Sequence, residues 1–152
     1  MNQRLDHQAL APDGMRALGG VYGYVAMKSG LPNDLVNLVY LRVSQINGCA
    51  YCISSHSKDL LKSGVPENKL LMLTAWRETP AIYDQKERAA LGWAESVTLI
   101  AQTRVPDAEY EAAVAQFTQK ELVDLTLAIA LINAYNRMAI SFRRTPEELV
   151  VG

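Results

Sequence analysis

The sequence predicts an all-α protein of about seven helices, and two observations support this fold class. Residues that favour helix starts and ends divide the chain at helix-sized intervals throughout its 152 residues. No segment shows sustained period-two alternation of apolar and polar residues between hairpin turns, which is the pattern of strands. The composition is that of a globular protein, and no linker divides the chain. We therefore expect a single domain over residues 1–152.

The first four predicted helices are bounded by residues that favour helix ends. Proline suits the first turn, where a missing N–H group costs nothing. Glycine suits the position after the last turn, because it readily adopts the left-handed conformation. The boundaries are Pro12 and Gly30, Asn33 and Gly48, Cys49 and Gly64, and Pro66 and Pro80. The third predicted helix therefore begins at the first of two cysteines.

Two capping boxes mark the later helices. Asp84 with Glu87 begins the fifth helix, and Thr118 with Glu121 begins the seventh. In each pair the side chains can bond backbone N–H groups that have no partner within the helix. The sixth is a short helix in "VPDAEYEAAVAQF", and the seventh continues to about Phe142.

The seventh predicted helix is apolar on more than one face. Its apolar residues include Leu122, Leu125, Leu127, Ile129, Leu131 and Ile132. A helix that is apolar nearly all round must be covered on nearly all sides. One small domain can cover part of this surface, and we expect contacts in a homo-oligomer to cover the rest. The alternative is that it is simply the central core helix.

Charge and hydropathy exclude several classes of protein. With 15 basic and 16 acidic residues and no basic run, we expect no nucleic-acid partner. The N-terminal "MNQRLDHQALAPDG" lacks the apolar core of a secretory signal. The apolar stretch Leu125–Ala134 is too short to span a bilayer before Asn136 and Arg137 interrupt it. We therefore expect a cytoplasmic protein without membrane contact, where neighbouring cysteines favour catalysis or metal binding over a structural disulfide.

The segment "SQINGCAYCISSH" contains the only two cysteines of the chain. On a helix, Cys52 lies one turn from Cys49, and His56 lies one turn beyond Cys52 on the same stripe. The free N–H groups and the dipole of a helix start stabilise a thiolate, and a protonated histidine nearby would stabilise it further. The spacing also allows a disulfide between the two thiols. This arrangement predicts a redox-active thiol pair.

Three other interpretations of the segment remain open at this point. Two cysteines in a helix are often plain core residues. A Cys-x-x-Cys pair is also half of a zinc site, but a structural zinc needs four ligands, and the chain adds only His56 and the remote His7. We therefore expect no metal. A histidine on a half-buried helical face is often just hydrogen-bonded without a chemical role.

The segment "LRVSQINGCAYCISSHSKDLLKSG" resembles the signature of the alkylhydroperoxidase D / carboxymuconolactone decarboxylase-like superfamily. The resemblance continues through "LTAWRETPAIYDQKERAALGWAESVTLI" and "LVDLTLAIALINAYNRMAISFR", and it is strongest over residues 15–143. It implies a small all-helical domain that assembles as a trimer or hexamer.

The resemblance also implies an activity, namely thiol-dependent reduction of organic hydroperoxides. Cys52 would attack the peroxide, Cys49 would resolve the sulfenic acid to a disulfide, and His56 would belong to a proton relay. A thiol or a lipoyl-type group on a partner protein would reduce the disulfide again. No cofactor is implied.

Two positions depart from the family pattern. Asn37 stands twelve residues before the first cysteine, where the family relay has a glutamate. An amide can orient a histidine or a water, but it cannot accept a proton at neutral pH. Tyr51 stands where the best-known members have a histidine. We therefore treat Asn37 and Tyr51 as supporting residues.

Two further functions compete with the peroxidase. A decarboxylase acting on a muconolactone-type ring, as in other branches of the superfamily, would not need the thiol pair. A dithiol–disulfide oxidoreductase or redox sensor would use the pair without peroxide, and the altered relay leaves this second alternative open.

Overall fold

Helices form all of the regular secondary structure in residues 2–146, which are the residues that the computed structural model describes. Within them lie nine α-helices: α1 His7–Leu10, α2 Pro12–Lys28, α3 Asn33–Asn47, α4 Ala50–Lys62, α5 Glu67–Leu71, α6 Gln85–Thr98, α7 Ile100–Thr103, α8 Asp107–Val114 and α9 Gln119–Ser141. Single-turn 3₁₀-helices at Leu73–Ala75 and Pro80–Ile82 lie between α5 and α6. The all-α fold class is confirmed, but the expected number of seven helices is wrong.

The two additional helices are single turns. The carboxylate of Asp6 caps α1 by accepting from the N–H groups of Gln8 and Ala9. One turn is too short to produce an apolar periodicity, so the sequence does not reveal it. The second, α7, is separated from α6 at Leu99, whose backbone leaves the helical region. The apolar pattern continues through Leu99, which is why α6 and α7 were predicted as one helix.

The predicted fourth helix is also too long, because α5 ends at Leu71 and tighter turns follow it. Leu73, Trp76 and Tyr83 are buried in this segment, where they pack into a second, smaller core cluster. The predicted helix ends at glycine are confirmed. Gly30, Gly48 and Gly64 have φ angles of 79°, 72° and 94°. Both capping boxes form as predicted.

The largest core cluster is built around α3 and α9 and contains both cysteines. Helix α3 packs against α4, α6 and α9, so it lies at the centre of the bundle. Its buried residues include Val39 and Val43, neither of which exposes any surface. Burying such a side chain stabilises the fold by roughly 1.5–3 kcal/mol. The thiol pair is therefore built into the main core.

Helix α9 is covered mainly by its own chain. Of the six apolar residues singled out in the sequence, Leu127 is 41% exposed, and the other five are buried. Its neighbour Val123 is 61% exposed. The exposed apolar surface of α9 is thus smaller than the sequence pattern suggests, and the homo-oligomer stays a prediction. Neither α9 nor any other helix within residues 2–146 has the length and apolarity needed to cross a membrane.

Candidate active site

The junction between α3 and α4 places the first cysteine. Gly48 adopts the left-handed conformation, and its N–H donates to the carbonyl oxygen of Gln45 at 3.3 Å. The N–H of Cys49 donates to the carbonyl oxygen of Ser44 at 2.9 Å. This pair of bonds is a Schellman motif, which ends α3 and reverses the chain within two residues. The next helix can then begin immediately, with Cys49 as its N-cap.

The two thiols meet at the start of α4, as their spacing predicts. The sulfur of Cys49 accepts from the N–H of Cys52 at 3.4 Å, so a thiol performs the capping that serine or aspartate usually provides. The two sulfurs lie 2.6 Å apart, and both thiols are free and buried. A disulfide bond, at about 2 Å, therefore requires only a small movement.

The charge of the reduced pair is held by Cys49. The hydrogen bond with the Cys52 thiol lowers the pKa of Cys49 to about 7; burial opposes this, while backbone N–H groups and the Asn136 amide support it. The same bond, burial and the charge on Cys49 raise the pKa of Cys52. Near neutral pH about half of the pairs are therefore monoanions, with the remaining proton on Cys52.

His56 is neutral and held by Asn37. Its Nδ1 lies 3.0 Å from Asn37 Oδ1, and Asn37 Nδ2 donates to the Asn33 carbonyl oxygen at 3.1 Å. This second bond orients the amide, so His56 Nδ1 carries the hydrogen and Nε2 carries the lone pair. Burial lowers the pKa of His56 to about 4, partly offset by the charge of Asp59. The expectation of a protonated histidine beside the thiolate is therefore wrong.

A cavity of about 280 Å³ opens on Cys52. Cys52 and His56 line it together with side chains from α1, α2 and α9 and from the segment after α9. Within the described residues, Cys52 is the cysteine in its wall, while Cys49 is only 1% exposed. The remaining wall combines two groups of residues. The aromatic and apolar ones are Met15, Tyr22, Tyr51, Ile132, Tyr135 and Ala139, and the polar or charged ones are His7, Gln8, Ser55, Asp59 and Arg144. Access to the pair is therefore through Cys52.

Tyr51 lies at the rim of this cavity and contacts Arg144. Its hydroxyl accepts from Arg144 Nη2 at 2.8 Å, and the guanidinium lies 4.0 Å from the centre of its ring. Arg144 is placed by a second Schellman motif, in which Arg143 has a φ of 55° and the Arg144 N–H donates to the Ala139 carbonyl. The structure thus associates Tyr51 with the cavity entrance.

The structure also brings in residues that the sequence analysis missed. Asn136 and Ser44 are fully buried beside the thiol pair, and Asn136 Nδ2 donates to Ser44 Oγ at 3.0 Å. An amide within an otherwise apolar helix was the available signal for Asn136. His7, remote in sequence, lines the same cavity as Cys52. Among residues 2–146, no three histidine, cysteine or acidic side chains are grouped to hold a metal.

Comparison with known proteins identifies relatives that share this fold. The chain is 38% identical to the uncharacterised protein YdfG of Bacillus subtilis (strain 168) over 141 residues, covering 93% of this chain and 95% of YdfG. It is 38% identical to a solved protein of unknown function from Agrobacterium tumefaciens, described as a candidate antioxidant defence protein AhpD. That similarity has a TM-score of 0.91 and covers 95% of this chain and 99% of the other.

A second solved structure is the alkylhydroperoxidase AhpD core of an uncharacterised peroxidase-related protein from Ralstonia eutropha JMP134. It is 25% identical, with a TM-score of 0.79, and the similarity covers 93% of this chain and 75% of that one. The sequence pattern of the carboxymuconolactone decarboxylase family matches residues 12–96, which include both cysteines and His56. The chain therefore belongs to the carboxymuconolactone decarboxylase family, within the alkylhydroperoxidase D-like superfamily.

Proposed function

We propose that the protein is a thiol-dependent peroxidase that reduces organic hydroperoxides through a dithiol–disulfide cycle. One observation carries the proposal: the two sulfurs lie 2.6 Å apart at a cavity that Cys52 lines. The lowered pKa of Cys49 supports it, and the aromatic and apolar part of the cavity wall suits an organic substituent on the peroxide. The peroxidase-related names of the solved relatives also support it.

The proposed reaction begins with the monoanionic pair. The proton on Cys52 passes to Cys49, and the Cys52 thiolate attacks the nearer peroxide oxygen, breaking the O–O bond. Cys52 becomes a sulfenic acid, and the alkoxide that leaves takes the proton from Cys49 to form an alcohol. The Cys49 thiolate then attacks the Cys52 sulfur and expels hydroxide, which becomes water by taking back from the solvent the proton that the pair released on ionising. The two thiols are oxidised to a disulfide, and the peroxide is reduced to alcohol and water.

His56 has an auxiliary role in this scheme. With Nδ1 held by Asn37, its neutral ring offers Nε2 as the proton acceptor for a fully protonated thiol pair, and its lowered pKa makes it a weak base. Asn37 orients the ring through Nδ1 but cannot pass the proton on, because an amide does not ionise. The relay thus ends at His56, and we infer a slower peroxidase than one with a carboxylate at position 37.

The cycle requires an external reductant. We propose a thiol or a lipoyl-type group on a partner protein as the reductant. A dithiol reduces the Cys49–Cys52 disulfide by exchange, through a mixed disulfide between the two proteins. We also propose that the protein acts in the cytoplasm, where such reductants keep thiols reduced.

A dithiol–disulfide oxidoreductase or redox sensor is the second candidate. The lowered pKa of Cys49, caused chiefly by the Cys52 hydrogen bond, suits thiol–disulfide exchange as well as peroxide chemistry. A muconolactone-type decarboxylation, after which the family is named, would leave the thiol pair without a role.

Peroxide consumption by the reduced protein tests the proposal. Cumene hydroperoxide is added at one equivalent, and free thiols are then counted by mass spectrometry. We expect an intramolecular Cys49–Cys52 disulfide and continued turnover with dithiothreitol or dihydrolipoamide. Two free thiols persisting after stoichiometric peroxide would reject the peroxidase. Oxidation by a disulfide donor but not by peroxide would favour the oxidoreductase.

A further inference from the structure

A chain of side-chain hydrogen bonds runs from α6 through α9 and α3 to Ser44, whose carbonyl oxygen accepts from the N–H of Cys49. Asn133 Nδ2 donates to Thr98 Oγ1 at 3.1 Å. Asn47 Nδ2 donates to Asn133 Oδ1 at 3.0 Å and to Asn136 Oδ1 at 2.9 Å. Asn136 Nδ2 in turn donates to Ser44 Oγ at 3.0 Å. Three amides and two hydroxyls are thereby linked in one continuous network.

The network fixes which end of Asn136 faces the sulfurs. Its Oδ1 accepts from Asn47, so its amino group points the other way, toward Ser44. One N–H is used by Ser44, and the amide has a second N–H to donate. Ser44 accepts from Asn136, which leaves its own hydroxyl hydrogen free to be donated. Both side chains are 0% exposed, so these orientations are set inside the core.

We propose that Asn136 is a positioning residue for the thiol pair, and that its amino group, oriented by Asn47 and Asn133, donates a hydrogen bond to the sulfur that carries the negative charge. Such a donor favours the thiolate over the thiol, because only the charged sulfur is a strong acceptor. The interaction is a property of the reduced protein itself. Its consequence for peroxide reduction rests on the proposed function.

The pKa directions of both cysteines agree with this placement. After the dominant effect of Cys52, the Asn136 amide also lowers the pKa of Cys49. Against the raising effects of Cys49 and burial, Asn136 and Ser44 lower the pKa of Cys52. Asn136 therefore acts on the charge wherever it lies in the pair, which suits a step in which the charge moves between the sulfurs.

The titratable and charged groups around Cys52 lie on the opposite, cavity side. They come from α1, α2, α4, α9 and the segment after α9: His7, Tyr22, Tyr51, His56, Asp59, Tyr135 and Arg144. The amide network contains none of them, so substitutions in the network leave these groups in place. An effect on thiol ionisation can then be assigned to the network.

The test measures thiol ionisation without peroxide. Asn136→Leu removes the donor while nearly preserving side-chain size. The rate of iodoacetamide alkylation of Cys52, the accessible sulfur, is followed against pH in the reduced protein by mass spectrometry. Because the two thiols share one proton, its midpoint reports the first ionisation of the pair. We expect this midpoint to rise by about one pH unit, so that alkylation at pH 7 slows roughly fivefold. Because alkylation needs no peroxide, the result does not depend on whether the protein is a peroxidase.

Two further variants make the test specific. Asn47→Leu removes the donor to Asn136 Oδ1, so the Asn136 amide can rotate. The alkylation midpoint should therefore rise, although Asn47 acts on the sulfurs only through Asn136. Thr126→Val is the matched control, because this α9 hydroxyl bonds Trp93 and Leu122 outside the network, and its midpoint should not change. If Asn136→Leu does not fold, the midpoints of Ser44→Ala and Asn47→Leu test the proposal instead. Unchanged midpoints in the folded network variants overturn the proposal.

Discussion

The two sides of the thiol pair differ in solvent access and in the hydrogen-bond donors that they present to the sulfurs. On the cavity side, Cys52 meets a space of about 280 Å³ and a neutral His56 held by Asn37. On the interior side, Cys49 receives backbone N–H groups and the Asn136 amide. Cys52 is therefore the accessible sulfur, and Cys49 is the sulfur that carries the negative charge. The comparison teaches that the thiol that ionises first need not be the thiol that attacks, provided one proton can move across 2.6 Å.

A half-buried charge elsewhere in the bundle provides a contrast. Glu95 is bonded by Trp76, Arg42 and Arg77, and against the effect of burial these bonds lower its pKa. Cationic partners keep this carboxylate ionised at any physiological pH, which suits a structural role. The thiol pair is surrounded in its core by neutral donors instead. Neutral donors stabilise a thiolate less strongly than cations do, so the thiol pair can still gain and lose a proton near pH 7.

The largest expected effect comes from removing either sulfur. Cys52→Ser removes the accessible thiol, so we expect loss of peroxide reduction and no sulfenic acid on Cys49. Cys49→Ser removes the resolving thiol, so sulfenic acid should accumulate on Cys52 after one turnover. A dimedone-type probe read by mass spectrometry distinguishes the two. Labelling of Cys49 in the Cys52→Ser variant would reverse the assigned roles.

A base added on the cavity side is expected to have the next largest effect. Asn37→Glu places a carboxylate against His56 Nδ1, where it can relay the proton that the amide cannot. General-base contributions begin at about 10²-fold, so we expect up to this gain in single-turnover peroxide reduction near pH 7. The gain should vanish at high pH, where the thiol ionises without help.

Asn37→Gln is the matched control, because it has the same length without a base. Equal rates for the folded glutamate and glutamine variants at every pH would show that position 37 has no part in proton transfer.

The third prediction concerns acid stability. The pKa of His56 is lowered by burial to about 4 in the folded protein, below its ordinary value of 6.5. Between these values the unfolded chain binds the proton and the folded protein does not, so stability falls as the pH falls from 6.5 to 4. The loss amounts to about 3 kcal/mol at most. Urea unfolding at pH 7 and 4.5 should show it, and His56→Gln should reduce the difference; an equal difference in the variant would assign the acid lability to other groups.

How much of this arrangement could be predicted depends on whether its cause is local. The helix break at Gly48, the shared face of Cys49 and Cys52 and both capping boxes follow from neighbouring residues, and the structure has them as predicted. The contact between Asn37 and His56 joins α3 to α4, and the resemblance to a known family pointed to position 37.

Other features depend on tertiary contacts that no local pattern encodes. The neutral state of His56 results from burial, which sequence spacing does not reveal. Asn136 reaches the thiols across 84 positions or more of sequence, and its orientation is set by Asn47 on another helix. The lowered pKa of Cys49 follows chiefly from its contact with Cys52. The sequence of the helix allows the dipole to be weighed against the histidine, but it does not reveal which of the two thiols has the lower pKa.

The smallest expected effect lies at the rim of the cavity, outside both sides of the pair. Arg143 occupies the left-handed position of a Schellman motif, where a side chain costs roughly 1–2 kcal/mol and glycine is preferred. Arg143→Gly removes this strain, although glycine also gains freedom in the unfolded chain. We expect a net stabilisation of about 0.5–1 kcal/mol in urea unfolding. Arg143→Ala is the control for the lost charge and should show no such gain, because alanine keeps the Cβ atom. Cysteine alkylation should be unchanged in both variants, since neither sulfur contacts this turn directly. Equal stability of the glycine and alanine variants would mean that the turn stores no strain.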